Sequence, residues 1–405
     1  MSAIRIFSGV ACNSGTILDG IKHGTGFQVV TDESIVVKAA TYSDLTPQQI
    51  RRAFSSKASI FNNFTFEKER AIACLKLALT NHLNQSKCIF TGFSGLLIPD
   101  TIGHVLKVCL IADTKFRKNH LMEAKDLPED EAIEAISKDD QDKSTWVHTL
   151  TGENDPWSPN LHDIIFPMDK SKADQALDLI IENLDNQAII PTEQTRRAVK
   201  NFNLAARAEL ALLNAGHQVY IQAQEGNIQL GLHRQTLMHN RMQDELKQIV
   251  QNIDGVQSVN ILTDPPKEKP LIYHKKNPTL PSKVLLVDDE REFVQTLSER
   301  LQMREMGSAV AYDGASALDL VETDEPEVMI IDLKMPEIDG IEVLKKVKQT
   351  RPEIQVVVLT GHGSEQDRQE CMALGAFAYL QKPVDIDTLS ETLKKAYEKT
   401  RTAGQ

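Results

Sequence analysis

Residues 328–340, Val-Met-Ile-Ile-Asp-Leu-Lys-Met-Pro-Glu-Ile-Asp-Gly, constrain this chain more than any other stretch. Four apolar residues run straight into a single carboxylate, Asp332. So short a run needs burial on both faces, which predicts a central strand of a parallel sheet. Pro336 and Gly340 mark a turn, and a helix is expected from Ile341. Asp332 then stands at the carboxyl end of a strand, where open α/β sheets place their ligand sites. Taken alone, it serves equally well as a cap for the turn.

Its neighbours in sequence repeat the pattern. Residues 283–287 form a second apolar run, which ends in Asp288-Asp289-Glu290. Residues 309–311, 355–359 and 377–380 read as three further strands, the last two ending at Thr360-Gly361 and Gln381-Lys382-Pro383. Helical segments alternate with these strands, and residues 387–400 close the series. The pattern predicts a doubly wound, flavodoxin-like (βα)5 domain over residues 282–400, with four strand ends converging on one crevice. The chemistry of that set is coherent. Asp288, Asp289 and Asp332 repel one another unless a cation sits among them, and oxygen-only ligands suit Mg²⁺. The Asp332 carboxylate can attack a phosphoryl group to give an acyl phosphate. Mg²⁺ and the Lys382 ammonium would neutralise the transferred charge, and the Thr360 hydroxyl can donate to a phosphoryl oxygen. Turn aspartates, a strand-end threonine and a surface lysine are the ordinary readings of each residue separately.

These residues, in this order, resemble the receiver domain of two-component response regulators. The resemblance implies that Asp288 and Asp289 are the acidic pair and Asp332 the phospho-acceptor. It makes Thr360 and Tyr379 the switch pair, Lys382 the essential lysine, and the backbone carbonyl of Lys334 a metal ligand. It also implies a partner, a sensor histidine kinase or a phosphotransfer protein. Phosphorylation would draw Thr360 inward, with Tyr379 following, as a shift between two packings.

Upstream, residues 3–8 read as a strand, residues 9–16 as a small-residue loop, and Ile17 onward as a helix. Strand, loop and helix N-terminus is the geometry that cradles phosphate on backbone N–H groups. A full phosphate loop ends in Gly-Lys-Ser/Thr. Here Ser14-Gly15-Thr16 carries no lysine, so a plain strand-to-helix turn is the competing reading. Strands near 86–90, 105–111 and 163–167 alternate with helices at 67–83, from 115, from 128 and at 172–184, predicting a parallel sheet. Residues 146–159 are polar and rich in turn formers.

The order of Asn13-Ser14-Gly15, Ile89-Phe90-Thr91-Gly92, Val108-Cys109-Leu110-Ile111 with Phe116-Arg117, and Asp155-Pro156 through Ile165 resembles the cytidylate-kinase-like family of nucleoside monophosphate kinases, over residues 1–190. That family implies a P-loop kinase-like sheet and a nucleotide ligand, held by basic residues. This chain instead has Thr16 in the loop, Phe93 after Gly92, and Thr145 and His148 in the lid segment. Ser14, Gly15, Thr16 and Arg117 remain the candidate phosphate contacts, with Lys118 and Lys143 nearby. Phosphoryl transfer depends on such charges, so a non-catalytic relative is expected. An active cytidylate-type kinase gated by receiver phosphorylation is the alternative.

From Thr192 the pattern becomes helix, two alternating strands around Glu225-Gly226, a polar helix over 235–253, and a strand over 255–262. This order resembles a BON domain, a small α+β binding module, over residues 192–263. His217, His233 and His239 lie within it without metal-ligand spacing. The proline-rich residues 264–281 read as a linker.

The whole has 405 residues and a net charge of −12, with five scattered cysteines and no C-x-x-C. That charge and the absence of a helix-turn-helix pattern argue against DNA binding. No apolar run is long enough for membrane insertion, no signal peptide is read, and a cytoplasmic protein with reduced thiols is expected.

Overall fold

Parallel strands of four to seven residues, each feeding a helix, build both of the larger sheets. The computed structural model describes residues 2–85, 87–184, 186–232, 240–262, 279–361 and 363–403. Among these, residues within Met1–Ala58, Glu67–Asn214 and Gln218–Leu271 form one unit, and those within Ser59–Phe66, Ala215–His217 and Ile272–Gln405 form a second.

In the first unit, β1 (Ala3–Ser8), β2 (Gln28–Thr31), β3 (Cys88–Thr91), β4 (Val105–Ile111) and β5 (Ile164–Pro167) form a parallel sheet in the order β2-β3-β1-β4-β5. The central strand β1 is buried through Ile4, Ile6 and Phe7. Ile4 and Ile6 pack with Ile17 and Ile21 of the helix Ser14–Thr25 and with Ile180 of the helix Ala173–Leu184. Two expectations are corrected. Residues 28–31 form a strand that the sequence reading did not contain. The segment expected to be turn-rich from Trp146 is helical as far as Thr151, within the helix Glu129–Thr151. Trp146 and Val147 are buried there, and Gly152 stops the helix in the left-handed region.

The same unit holds a smaller sheet. β6 (Tyr220–Gln224) pairs antiparallel with β7 (Asn227–Gly231), and β7 pairs parallel with β8 (Ser258–Leu262). Helices Glu193–Asn214 and Asn240–Gln251 supply Leu204, Leu212, Leu246 and Val250 to its core. The elements follow one another as helix, strand, strand, helix and strand. His233, His239, residues 235–239 of the expected polar helix and residues 264–278 of the expected linker lie outside the described residues.

In the second unit, β9 (Val284–Val287), β10 (Ser308–Ala311), β11 (Val328–Ile331), β12 (Gln355–Thr360) and β13 (Ala378–Gln381) form a parallel sheet in the order β10-β9-β11-β12-β13. β9, β11 and β12 are buried throughout. Their side chains alternate between two cores. Leu285, Met329 and Val356 face one, which also takes Phe61; Leu286, Ile330 and Val357 face the other. No helix among the described residues is long and apolar enough to cross a membrane. All five cysteines are free and buried.

One buried group in the first unit makes stability depend on pH. His162 is 7% exposed. Its Nδ1 lies 3.2 Å from the Arg5 guanidinium, which can only donate, so the ring proton sits on Nε2 and is donated to the Pro156 carbonyl at 3.0 Å. Burial pushes the imidazole down to about 4, against that hydrogen bond. A folded value below the unfolded one gives stability that is complete above pH ~6.5 and is lost as pH falls towards 4. In chemical denaturation between roughly pH 7.5 and 4.5, His162 should account for about 2–3 kcal/mol of the loss. The loss should shrink by that amount in His162→Gln; an unchanged pH profile would refute the assignment.

Candidate functional site

Parallel pairing in register sets the carboxyl ends of β9, β11, β12 and β13 side by side. Val287 is level with Ile331, Ile331 with Val358, and Thr360 with Gln381. The residues that follow these strands therefore meet at one edge. The Asp332 N–H donates to the Val287 carbonyl at 3.0 Å, which fixes the first residue beyond β11 against the end of β9. The Lys382 N–H donates to the Thr360 carbonyl at 2.9 Å and does the same for β13 and β12.

The side chains make an asymmetric charge cluster. The Lys382 ammonium lies 2.7 Å from Asp288 Oδ2, 3.2 Å from Glu290 Oε1 and 3.7 Å from Asp332 Oδ1. It also sits 4.3 Å from the centre of the Phe293 ring. The other oxygen of Asp288 accepts from the Glu290 N–H at 2.9 Å. Asp332 Oδ2 accepts from the Lys334 N–H at 3.0 Å. Asp332 Oδ1 is buried and has no hydrogen-bond partner. Burial pulls the Lys382 ammonium down, but its hydrogen bond to Asp288 and the charges of Asp288 and Asp332 outweigh it and hold the lysine above its ordinary value. Burial pushes the Asp288 carboxyl up and Lys382 pulls it back. At a separation of 2.7 Å the proton belongs to the lysine.

Of the three carboxylates named from the sequence, Asp288 and Asp332 share the Lys382 ammonium. Asp288 is turned onto Lys382, while Asp289 is exposed and lines a cleft of about 540 Å³ with Lys334, Asp339 and Asp367. Among the described residues, no three His, Cys, Asp or Glu side chains are gathered closely enough to hold a metal ion. The donor chemistry nonetheless suits a hard dication, because the orphaned Asp332 oxygen can only accept, and the Asp288 and Asp289 carboxylates and the Lys334 carbonyl offer only oxygen.

Thr360 is 1% exposed at the end of β12. The Tyr379 hydroxyl is buried without a hydrogen-bond partner and fills the space beside Gly363 that a Cβ would take, next to the Thr360 methyl. Glu290 and Phe293 also surround the lysine, a role that their residue types do not announce. Their only signal was proximity to the acidic pair.

In the first unit, Ser14, Gly15 and Thr16 open the helix Ser14–Thr25, with Ala11 and Asn13 in the left-handed region. The Thr16 hydroxyl donates to Asn13 Oδ1 at 2.7 Å. Arg117 faces the same loop, donating from Nε to the Val10 carbonyl at 2.9 Å. Each nearby cation is paired: Arg117 with Asp140, Lys143 with Asp139, and Lys118 with Glu129.

Comparison with known proteins bears on both units. Residues 284–394 match the family model of the response regulator receiver domain, and residues 6–170 match that of the cytidylate kinase-like family. The transcriptional regulatory protein CpxR of Escherichia coli K12 is 44% identical over 102 residues, which is 25% of this chain and 43% of that protein. This chain thus spans less than half of that relative. Sporulation initiation phosphotransferase F of Bacillus subtilis 168 is 35% identical over 113 residues, 28% of this chain and 91% of that protein. Among solved structures, a CheY-like receiver domain protein from Methanospirillum hungatei JF-1 aligns over 30% of this chain and 96% of its own, at 25% identity and a TM-score of 0.29.

The acidic edge depends on a glycine at the start of the helix Gly340–Thr350. A Cβ on Gly340 would stand 2.8 Å from Leu333 Cα and 2.9 Å from the Asp332 carbonyl carbon, where backbone cannot yield. Gly340→Ala should therefore lower stability by about 1–3 kcal/mol. It should also shift the backbone NMR signals of Asp332 and Leu333. A variant as stable as the parent, with those signals in place, would contradict the crowding.

Proposed function

Since the chain belongs, through its C-terminal domain, to the response regulator receiver family, we propose that it is the response regulator of a two-component phosphorelay. Its phospho-acceptor is Asp332, and a sensor histidine kinase or phosphotransfer protein supplies the phosphoryl group. The observation that carries this reading is the Asp332 oxygen that is buried, without a hydrogen bond, and held only by the Lys382 ammonium at 3.7 Å. A buried carboxylate oxygen without a partner costs about 1–3 kcal/mol or more. That cost is ordinarily met only where the group has a task.

In the transfer, the phosphorus–nitrogen bond of a phosphohistidine breaks, a bond forms between phosphorus and the Asp332 oxygen, and the imidazole leaves with its electron pair. Lys382 stands where it can release Asp288 and face the incoming charge. The Thr360 hydroxyl donates to the phosphoryl group. Asp288, Asp289, Asp332 and the Lys334 carbonyl would hold Mg²⁺, which when bound supplies neutralising charge for the transferred group. The Tyr379 hydroxyl, already buried without a partner, is free to exchange its position as Thr360 moves. The output passes to the upstream modules, in which residues 6–170 act as a non-catalytic cytidylate-kinase-like domain and residues 192–263 as a BON-like binding module. The pairing of Arg117, Lys118 and Lys143 with carboxylates supports the non-catalytic reading over an active kinase.

With a small phosphodonor and Mg²⁺, the full chain should become labelled and Asp332→Asn should fall to background. Chelation of the metal should abolish labelling as well. Undiminished labelling of Asp332→Asn would remove the assignment.

A further inference from the structure

The loop between β1 and the helix Ser14–Thr25 already holds an anion, and that anion belongs to the chain itself. Asp139 Oδ2 accepts from the Val10 N–H at 2.8 Å. Its other oxygen is bound by the Lys143 ammonium, one helical turn further along Glu129–Thr151. Asp140, the next residue, takes both terminal nitrogens of Arg117, at 2.9 and 2.8 Å. Arg117 in turn lies against the loop, with its Nε on the Val10 carbonyl and its Cζ 3.0 Å from where a Gly9 Cβ would be. Arg117 and Lys143 are each only 5% exposed. Two cations that deeply buried must be neutralised locally. Phe7 and Phe93 beneath Lys143 add ring faces at 5.9 and 5.0 Å but no negative charge.

The neighbouring loop is filled in the same manner. Asp32 accepts from the Phe93 and Ser94 N–H groups just after β3, both at 2.8 Å. Internal carboxylates thus engage backbone donors beyond the carboxyl ends of both β1, the central strand, and its neighbour β3. A loop N–H and two buried cations are the equipment that receives a phosphoryl oxygen. Here the acidic residues of the helix Glu129–Thr151 receive them.

We propose that Asp139 is an autoinhibitory internal anion. It closes the loop at residues 9–16 against phosphate-bearing ligands, and the loop, Arg117 and Lys143 accept such a ligand only when Asp139 is displaced. The closure depends on Asp139 rather than Asp140, because Asp139 alone of the two reaches the backbone of the loop. It goes beyond loss of the loop lysine, which would merely weaken the site. A closed site exchanges one anion for another and can be reopened.

The test uses the full chain and inorganic pyrophosphate, titrated by calorimetry. The parent protein should bind at least tenfold more weakly than Asp139→Asn, which keeps the shape of the side chain and removes its charge. Asp139→Ala should show a similar gain. Asp130→Asn, the same charge change at the exposed start of the same helix, should bind as weakly as the parent. Equal binding by the parent and Asp139→Asn, absence of binding in every variant, or an equal gain in Asp130→Asn would each overturn the proposal. Amide exchange at Val10 gives an independent reading that does not depend on a variant folding. In the parent the Val10 N–H should exchange slowly, and unprotected exchange would overturn the contact on which the closure rests.

Discussion

The Lys382 ammonium makes the acidic edge of the second unit sustainable. Asp288 and Asp332 are 4% and 6% exposed, and two carboxylates at such depth repel each other and lack solvent. One lysine reaches both, at 2.7 and 3.7 Å, with its ammonium over the Phe293 ring. The lysine is delivered there by the strand order. β13 lies at one edge of the sheet, two strands from β11, and the chain leaving it extends a long side chain to the residues that follow β9 and β11. Parallel topology, register and charge balance are thus one constraint. Breaking the β12–β13 or β11–β12 pairing would separate the ammonium from the carboxylates it stabilises.

Much of this could be read from residues alone. The run 328–331 has no polar position, so a strand buried on both faces was the economical account, and the structure gives β11 those bounds and that burial. The order of strand ends then fixed which side chains share an edge. What could not be read is how the charges distribute themselves there. Three carboxylates in sequence suggested equal roles, yet Asp288 and Asp332 are buried on one shared lysine while Asp289 is exposed. Strand-end position says that side chains are near one another; it does not say which pairs form.

The first unit shows where pattern reading fails physically. β2 is an edge strand with Gln28 and Thr31 exposed and Val30 alone fully buried, so its four residues carry almost no hydrophobic period. Thr31 passes directly from strand to helix cap by accepting from the Ser34 N–H, leaving no loop to announce the change. Residues 146–151 look like the start of a turn because threonines and a histidine surround Trp146 and Val147. Burial of those two side chains, with Val147 packed against Phe7 and Cys109, carries the helix on to Gly152. In both cases tertiary packing outweighs local preference.

The two charge clusters are built from the same materials and differ in one respect. Around Arg117 and Lys143 the acidic groups are matched to the cations. Asp140 takes both ends of the guanidinium, and Asp139 divides its oxygens between the lysine and the Val10 N–H. Around Lys382 the match is incomplete, because one ammonium serves Asp288, Glu290 and Asp332 and leaves an Asp332 oxygen without a hydrogen bond. A satisfied cluster holds structure and resists ligands, since a newcomer must first break good bonds. An under-satisfied cluster gains free energy when a cation or an electrophile arrives. The presence of acidic and basic residues at strand ends therefore does not distinguish a reactive site from a closed one. The distinction lies in whether every buried charged atom already has a hydrogen bond, and in this chain it separates Asp332 from the loop at residues 9–16.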